Sequence, residues 1–188
     1  MEHLDLPNAF SFDCENFYKW IVEQFPTNSH FVEIGLGQGK SSAYLAVEII
    51  NSEKNIKLDC IDCWDLREYP NSDGTIAFKD KLQPIWDKLD ISVIQNFSIE
   101  ESKNYKHKTL DFVFIDGDHS YTAVIGDIDN WLPKIKSGGI IAGHDYTNEY
   151  IDSVVKAVDD YFSTFDVKIH TNGSCWYVFV DDIKMDKY

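Results

Sequence analysis

The stretch Phe31-Val-Glu-Ile-Gly-Leu-Gly-Gln-Gly-Lys-Ser-Ser42 constrains this chain most. A short apolar run carries an acid, Glu33. Three alternating glycines follow, Gly35, Gly37 and Gly39, and a helical pattern starts near Lys40. A strand that turns through bare backbone into a helix is how open parallel sheets make room for a nucleotide-like ligand.

The rest of the chain extends that unit. Apolar runs at 30–34, 56–63, 91–96 and 110–115 read as strands, and a glycine turn at 137–139 leads into a fifth. Helical spacing recurs at 16–25, 39–51, 120–132 and 151–162, with a short helix or turn at 98–104. Residues 64–74 read as a loop, and 75–89 as a helix kinked at Pro84. Strands at 167–170 and 176–180 close the chain, joined as a hairpin around Asn172-Gly173. Strand–helix alternation implies a doubly wound, Rossmann-like α/β fold with right-handed crossovers. The expectation is a mostly parallel seven-stranded sheet ending in an antiparallel hairpin. We read 1–188 as a single domain, with 1–15 a loose arm and 64–90 a variable lid or substrate segment. Ligands of such sheets sit at the carboxyl ends of the strands. That edge collects the glycine turn, Asp62, Asn96–Ser98, Asp116–His119 and Gly143–Tyr146.

A formal net charge of −15 over 188 residues repels phosphate backbones and anionic lipid. Nucleic acid and membranes are therefore not expected as partners; a small molecule is. The chain opens on acidic Met1-Glu-His-Leu-Asp and holds no long apolar stretch, so a cytoplasmic protein is expected. Its cysteines, Cys14, Cys60, Cys63 and Cys175, then read as reduced thiols. Cys60 and Cys63 form a C-x-x-C pair, but an offset of three along a strand points them to opposite faces.

Three ligands compete for the glycine turn. A nucleotide triphosphate loop needs four residues between its glycines before Lys-Ser, and Gly35 and Gly39 enclose three. Glu33 would also repel a phosphate. The dinucleotide fingerprint G-x-G-x-x-G fails because Gly39 comes one residue early. S-adenosylmethionine carries no phosphate. It has a cationic amino-acid end for Glu33, and a ribose for Asp62 at the end of the second strand. Its adenine face could lie under Trp64. Bare glycine backbone would let it approach closely. The plainer reading of each residue alone is a tight turn or a surface acid.

From Val113 the sequence becomes specific. Val113-Phe-Ile-Asp-Gly-Asp-His-Ser-Tyr121, Asp127-Ile, Trp131-Leu-Pro, Gly138-Gly-Ile-Ile and His144-Asp145 resemble a branch of the class I S-adenosylmethionine-dependent methyltransferases. This branch is similar to the macrocin and catechol O-methyltransferase types. The resemblance spans about residues 31–146. It implies that Glu33, Gly35, Gly37, Gly39, Asp62 and Asp116 line the cofactor and that Ser98 contacts its adenine.

Methyl transfer to a hydroxyl needs alignment and a proton acceptor. His144, beside Asp145, and His119 are the candidate bases. The plainer role for His119 is a local hydrogen bond at the start of the following helix. A metal could do the same work by lowering the hydroxyl's pKa. Asp116 and Asp145 are then the candidate ligands, with His144 or Asp118 as alternatives, and hard oxygen donors favour Mg2+. The expected activity is methyl transfer to a hydroxyl of a small molecule such as a sugar or natural product. A catalytically inactive cofactor-binding or interaction module of the same fold is the rival, and a P-loop-like nucleotide hydrolase a distant third.

Overall fold

The structure is a computed structural model that describes residues 13–37, 39–64, 83–147 and 152–183. Helix α1 (Glu15–Gln24) precedes β1 (His30–Ile34), α2 (Lys40–Asn51) and β2 (Lys57–Asp62). A 3-10 turn, Gln83–Lys88, leads to β3 (Ile91–Gln95), α3 (Ser98–Ser102), β4 (Leu110–Ile115) and α4 (Tyr121–Trp131). A second 3-10 turn, Leu132–Lys134, joins α4 to β5 (Ile135–Gly143). Then come α5 (Asp152–Ser163), β6 (His170–Asn172) and β7 (Cys175–Phe179).

The seven strands form one sheet in the order β3-β2-β1-β4-β5-β7-β6. Strands β1 to β5 run parallel, and β7 is antiparallel to both β5 and β6. This is the doubly wound sheet with a terminal hairpin that the alternation predicts. The order reverses between β1 and β4, where such sheets leave a crevice.

Side chains of successive strand residues point to opposite faces, and each face is covered. Phe31, Phe112 and Phe114 pack with Phe17 and Ile21 of α1 and Leu45 and Ile49 of α2. Val32, Ile34, Val113 and Ile115 pack with Val124 and Ile128 of α4 and Val158 and Phe162 of α5. Strand β4 is buried at every residue, which explains its mostly apolar run; its one acid, Asp111, accepts from His30 N–H and pairs with Lys136. Helix α5 buries Val154, Ala157, Val158 and Phe162, a stripe at helical spacing.

Helix α1 ends on an unusual cap. Lys54 Nζ reaches across from beyond α2 and donates to the carbonyls of Val22 and Phe25, both at 2.6 Å. The last carbonyls of a helix lack partners within it, and a cation there also meets the negative end of the dipole. Lys54→Met should therefore lower stability by about 1–2 kcal/mol, read as a reduced urea midpoint. An unchanged midpoint would show that water caps the helix as well.

Three expectations are corrected. The glycine turn at 137–139 lies inside β5: Gly138 takes φ +79°, and the register with β4 shifts there, so the glycines mark a bulge. The first hairpin strand starts at His170, because Val167 and Ile169 pack against the core instead. The described end of the expected 75–89 helix is the 3-10 turn Gln83–Lys88. Residues 75–82, the loop at 65–74 with most of the proposed lid, and 1–12 of the proposed arm lie outside the described residues. Among the described residues, no helix is long and apolar enough to cross a membrane.

Candidate active site

The carboxyl edge is built from rigid starting points. Gly35 N–H donates to Ile61 O, Asp116 N–H to Ile34 O, and His144 N–H to Ile115 O, at 2.9, 2.8 and 3.1 Å. Each bond carries the sheet one residue past its strand, so each loop leaves from a fixed point.

The glycine turn lies directly against the loop after β4. Gly35 has φ +82°, and a Cβ built on it would lie 2.0 Å from the carbonyl oxygen of Asp116. Only glycine permits both the backbone angle and the approach. Asp62 then holds the turn in shape. Its Oδ2 accepts from Leu36 N–H at 2.7 Å and Gly37 N–H at 3.0 Å, and its Oδ1 from Trp64 N–H at 2.8 Å. Trp64 folds back and donates its indole N–H to Gly37 O at 3.2 Å. Among the described residues, a Cβ on Gly37 would meet nothing within 4 Å.

Glu33 sits beneath the turn with 0% exposure. Tyr18 of α1 donates its hydroxyl to Oε1 at 2.9 Å, while Oε2 finds no properly oriented donor. Burial pushes Glu33 up to about 7, against the weaker help of the Ser42, Ser41 and Tyr18 hydroxyls.

Beside the turn, two histidines and two aspartates form one cluster. His119 Nε2 lies 2.8 Å from Asp145 Oδ2 and 3.3 Å from Asp116 Oδ1. His144 Nδ1 lies 3.2 Å from Asp145 Oδ1 and 3.8 Å from Asp116 Oδ1. Asp145 is at φ +58°, a conformation unusual outside glycine that bends the chain back into the cluster. The hydrogen bonds to Asp116 and Asp145 push His119 up to about 10. Burial works against charge on His144, but Asp145, Cys14 and Asp116 together outweigh it and that ring is raised too. Bonds from His119 and His144 hold Asp145 well below the usual carboxylate range. Burial raises Asp116 despite its histidine partners.

A third group lies after β3. Ser98 donates to Asp127 Oδ1 at 2.5 Å and accepts from Trp131 Nε1 at 2.8 Å. Burial pushes Asp127 up to about 6. Asp118, by contrast, accepts from Ser120 N–H at 2.8 Å and serves the start of α4.

The profile of a methyltransferase-domain family matches residues 32–146, well over half of the chain. The chain belongs to this family. No curated protein matches it by sequence. Solved structures share its fold at low identity. The SMU.1697c protein of Streptococcus mutans, solved in complex with SAH, is 14% identical with a TM-score of 0.63; 90% of this chain and 97% of that one align. The O-methyltransferase NovP is 18% identical with a TM-score of 0.65, over 88% and 78% of the two chains. CalS11, a TDP-rhamnose 3'-O-methyltransferase, is 11% identical with a TM-score of 0.59, over 88% and 76%.

In this methyltransferase domain every site residue expected from the sequence lies on the carboxyl edge or directly under it. Four were not foreseen in their present roles. Tyr18 and Asp127 are the partners of Glu33 and Ser98. Asp13 and Ser174 close around His144 from the far side, Asp13 Oδ1 at 2.8 Å and Ser174 Oγ at 2.8 Å from Nε2. Asp13 lies in the stretch expected to be a loose arm, and no motif or periodicity links it to a partner 131 residues away. Phe97, 56% exposed, was also passed over; an exposed aromatic directly before Ser98 is a signal that could have found it.

Proposed function

We propose that this methyltransferase domain binds S-adenosylmethionine where β1 and β4 meet and passes its methyl group to a hydroxyl of a small molecule. One juxtaposition carries the reading: the glycine turn lies against Asp116, whose carboxylate is shared by two histidines.

The residues fit that cofactor. Among the described residues, nothing lies over Gly37, and the buried carboxylate of Glu33 has one oxygen without a hydrogen-bond partner. Glu33 would favour the cationic end through the turn, with Gly35, Gly37 and Gly39 offering bare backbone. Three backbone donors already occupy Asp62, and a carboxylate offers about four acceptor positions. That leaves room on Oδ1 for one ribose hydroxyl. Trp64, folded back onto Gly37, would cover the adenine. The Ser98 hydroxyl is engaged with Asp127 and Trp131, so its neighbours Phe97 and Ile99, both exposed, would provide the apolar seat. When bound, the sulfonium supplies an already activated methyl group.

His119 is our choice of proton acceptor. Its side chain is 41% exposed against 14% for His144, which is enclosed between Asp13 and Asp145. A protonated ring cannot accept, so His119 must first lose the proton that Asp116 and Asp145 hold on it. Positive charge brought beside Asp116 lowers that pKa. Asp116, Asp145 and His144 also place ligand atoms within 4.8 Å of one another, a set that fits a divalent cation such as Mg2+. Such an ion would lower the pKa of a bound hydroxyl. The acceptor class draws support from the names of NovP and CalS11 and from a net charge that repels nucleic acid.

Titration calorimetry tests the binding step. S-adenosylmethionine should give saturable heat and ATP none; no binding with or without Mg2+ removes the proposal. Release of S-adenosylhomocysteine with a panel of sugars and phenols tests turnover, and binding without any turnover favours the inactive module. Activity unchanged in EDTA would remove the metal. Affinity should also rise with pH through about 7, because the cationic cofactor favours ionised Glu33. Calorimetry in buffers of different ionisation enthalpy should show proton release, and Glu33→Gln should abolish it. Equal proton release in both proteins would sink that role.

A further inference from the structure

Cys14 and Cys175 are 161 residues apart in sequence, and their sulfurs meet at 3.3 Å. Both are free thiols and both are buried. The ring of His144 stands beside them: the two sulfurs and a ring nitrogen all lie within 4.8 Å of one another. The surroundings are polar where they touch this group. Asp13 Oδ1 is 2.8 Å from His144 Nε2, and Ser174 Oγ donates to both oxygens of Asp13 at 2.7 Å. Buried cysteines usually pack as small hydrophobes and need no such company. Two thiols and an imidazole converging on one point form a ligand set, with the Asp13 carboxylate hydrogen-bonded to the ring beside it.

We propose that Cys14, Cys175 and His144, with Asp13 or a water as the fourth ligand, form a tetrahedral zinc site. A Zn–S distance of about 2.3 Å places two sulfurs about 3.8 Å apart in tetrahedral geometry, so the pair need separate by only about 0.5 Å. Thiolate with imidazole selects zinc over magnesium. The two nitrogens of His144 divide the work. Nε2 faces Asp13, and Nδ1 faces Asp145 at 3.2 Å. Asp145 thereby orients the ring and keeps the proton on Nδ1, as carboxylates do behind zinc-bound imidazoles. Binding forms two Zn–S bonds and one Zn–N bond, and it releases both thiol protons and the Nε2 proton of the imidazolium to solvent. No electrons are transferred. The site would tie the start of α1 to the ends of β5 and β7. It uses Nε2 of His144; with Nδ1 protonated toward Asp145, the magnesium set reduces to Asp116 and Asp145, and the zinc site does not depend on methyl transfer.

The test refolds the full chain from denaturant, reduced, with Co2+ or Zn2+, because both sulfurs are shut from solvent in the folded protein. We expect one metal per chain, with a thiolate-to-cobalt charge-transfer absorption of two-thiolate intensity. Cys14→Ser and Cys175→Ser should each halve that absorption. Asp145→Asn should weaken metal affinity about 10–100-fold, as loss of an outer-shell carboxylate does. Cys63→Ser should change nothing. Failure to take up metal overturns the proposal, and so does uptake without the charge-transfer band, which places the ion on carboxylates. Loss of two titratable thiols in the metal-free native chain also overturns it, since the pair is then a disulfide. The wild-type band decides the matter even where a variant fails to fold.

Discussion

Gly35→Ala should destabilise the protein by about 3 kcal/mol or more and abolish cofactor binding. Two costs combine. An alanine at φ +82° pays for a left-handed backbone, and its Cβ would lie 2.0 Å from the carbonyl oxygen of Asp116. That oxygen has little freedom to retreat, because Asp116 N–H is bonded to Ile34 O and His144 N–H to Ile115 O. The strain must go into the glycine turn or push β4 away from β1. For a chain of this size, each kcal/mol is about 2–4 °C in Tm, so a fall of roughly 6–12 °C is expected. Gly37→Ala is the control. It carries only the backbone cost, about 1–2 kcal/mol, since no described residue lies within 4 Å of its Cβ. If Gly37→Ala nonetheless loses S-adenosylmethionine binding, the ligand occupies the space above it. If Gly35→Ala melts and binds like the wild type, the turn does not touch the β4 loop as described.

His119→Ala should lower kcat by about 10²–10⁴-fold while leaving cofactor affinity within a few-fold, the range typical of losing a general base. The pH dependence separates this role from a structural one. In the unliganded protein His119 is raised from its ordinary 6.5 to about 10 by Asp116 and Asp145. A histidine raised on folding stabilises the protein fully below its unfolded pKa. That contribution disappears as pH climbs through the folded value. The urea midpoint should therefore fall between pH 6.5 and about 10, and His119→Gln should flatten the fall without removing it, because His144 is raised in the same direction. Meanwhile kcat should rise with pH along a limb below 10, since charge in the loaded site eases the proton from the ring. A kcat that is flat with pH and unchanged in His119→Ala would leave His119 as a mere fastener of the loop.

Much of this arrangement could be read from residue order, for identifiable reasons. The strands β1 and β4 were found to the residue because their mostly apolar runs stop abruptly, at Gly35 and at Asp116. The site followed because topology alone brings strand ends to one edge. What escaped was partnership. Asp62 was expected to face a ribose, and in the structure it spends most of its capacity holding Leu36, Gly37 and Trp64. Ser98 was expected to face adenine, and its hydroxyl turns inward to Asp127 and Trp131. Neither choice leaves a trace in spacing, since the partners come from other strands and helices. Asp13 shows the limit most plainly: its neighbours determine it, and they lie at the other end of the chain. The two glycines at 138–139 misled for a related reason, because a bulge and a turn ask for the same residue.

The strand order also has a consequence for how the molecule is made. Strands β3, β2 and β1 are contiguous in sequence and neighbours in space, and they can assemble from the first half of the chain. Strand β1 must then wait for β4, whose partner residue for Phe31 is Phe112. Pairings between distant segments are slow to form. The notch between the glycine turn and Asp116 is thus a seam between two halves of the polypeptide, and it exists only once they have joined. A ligand that fills it recognises completed molecules alone, and during synthesis it would act as a clasp on the last step of folding.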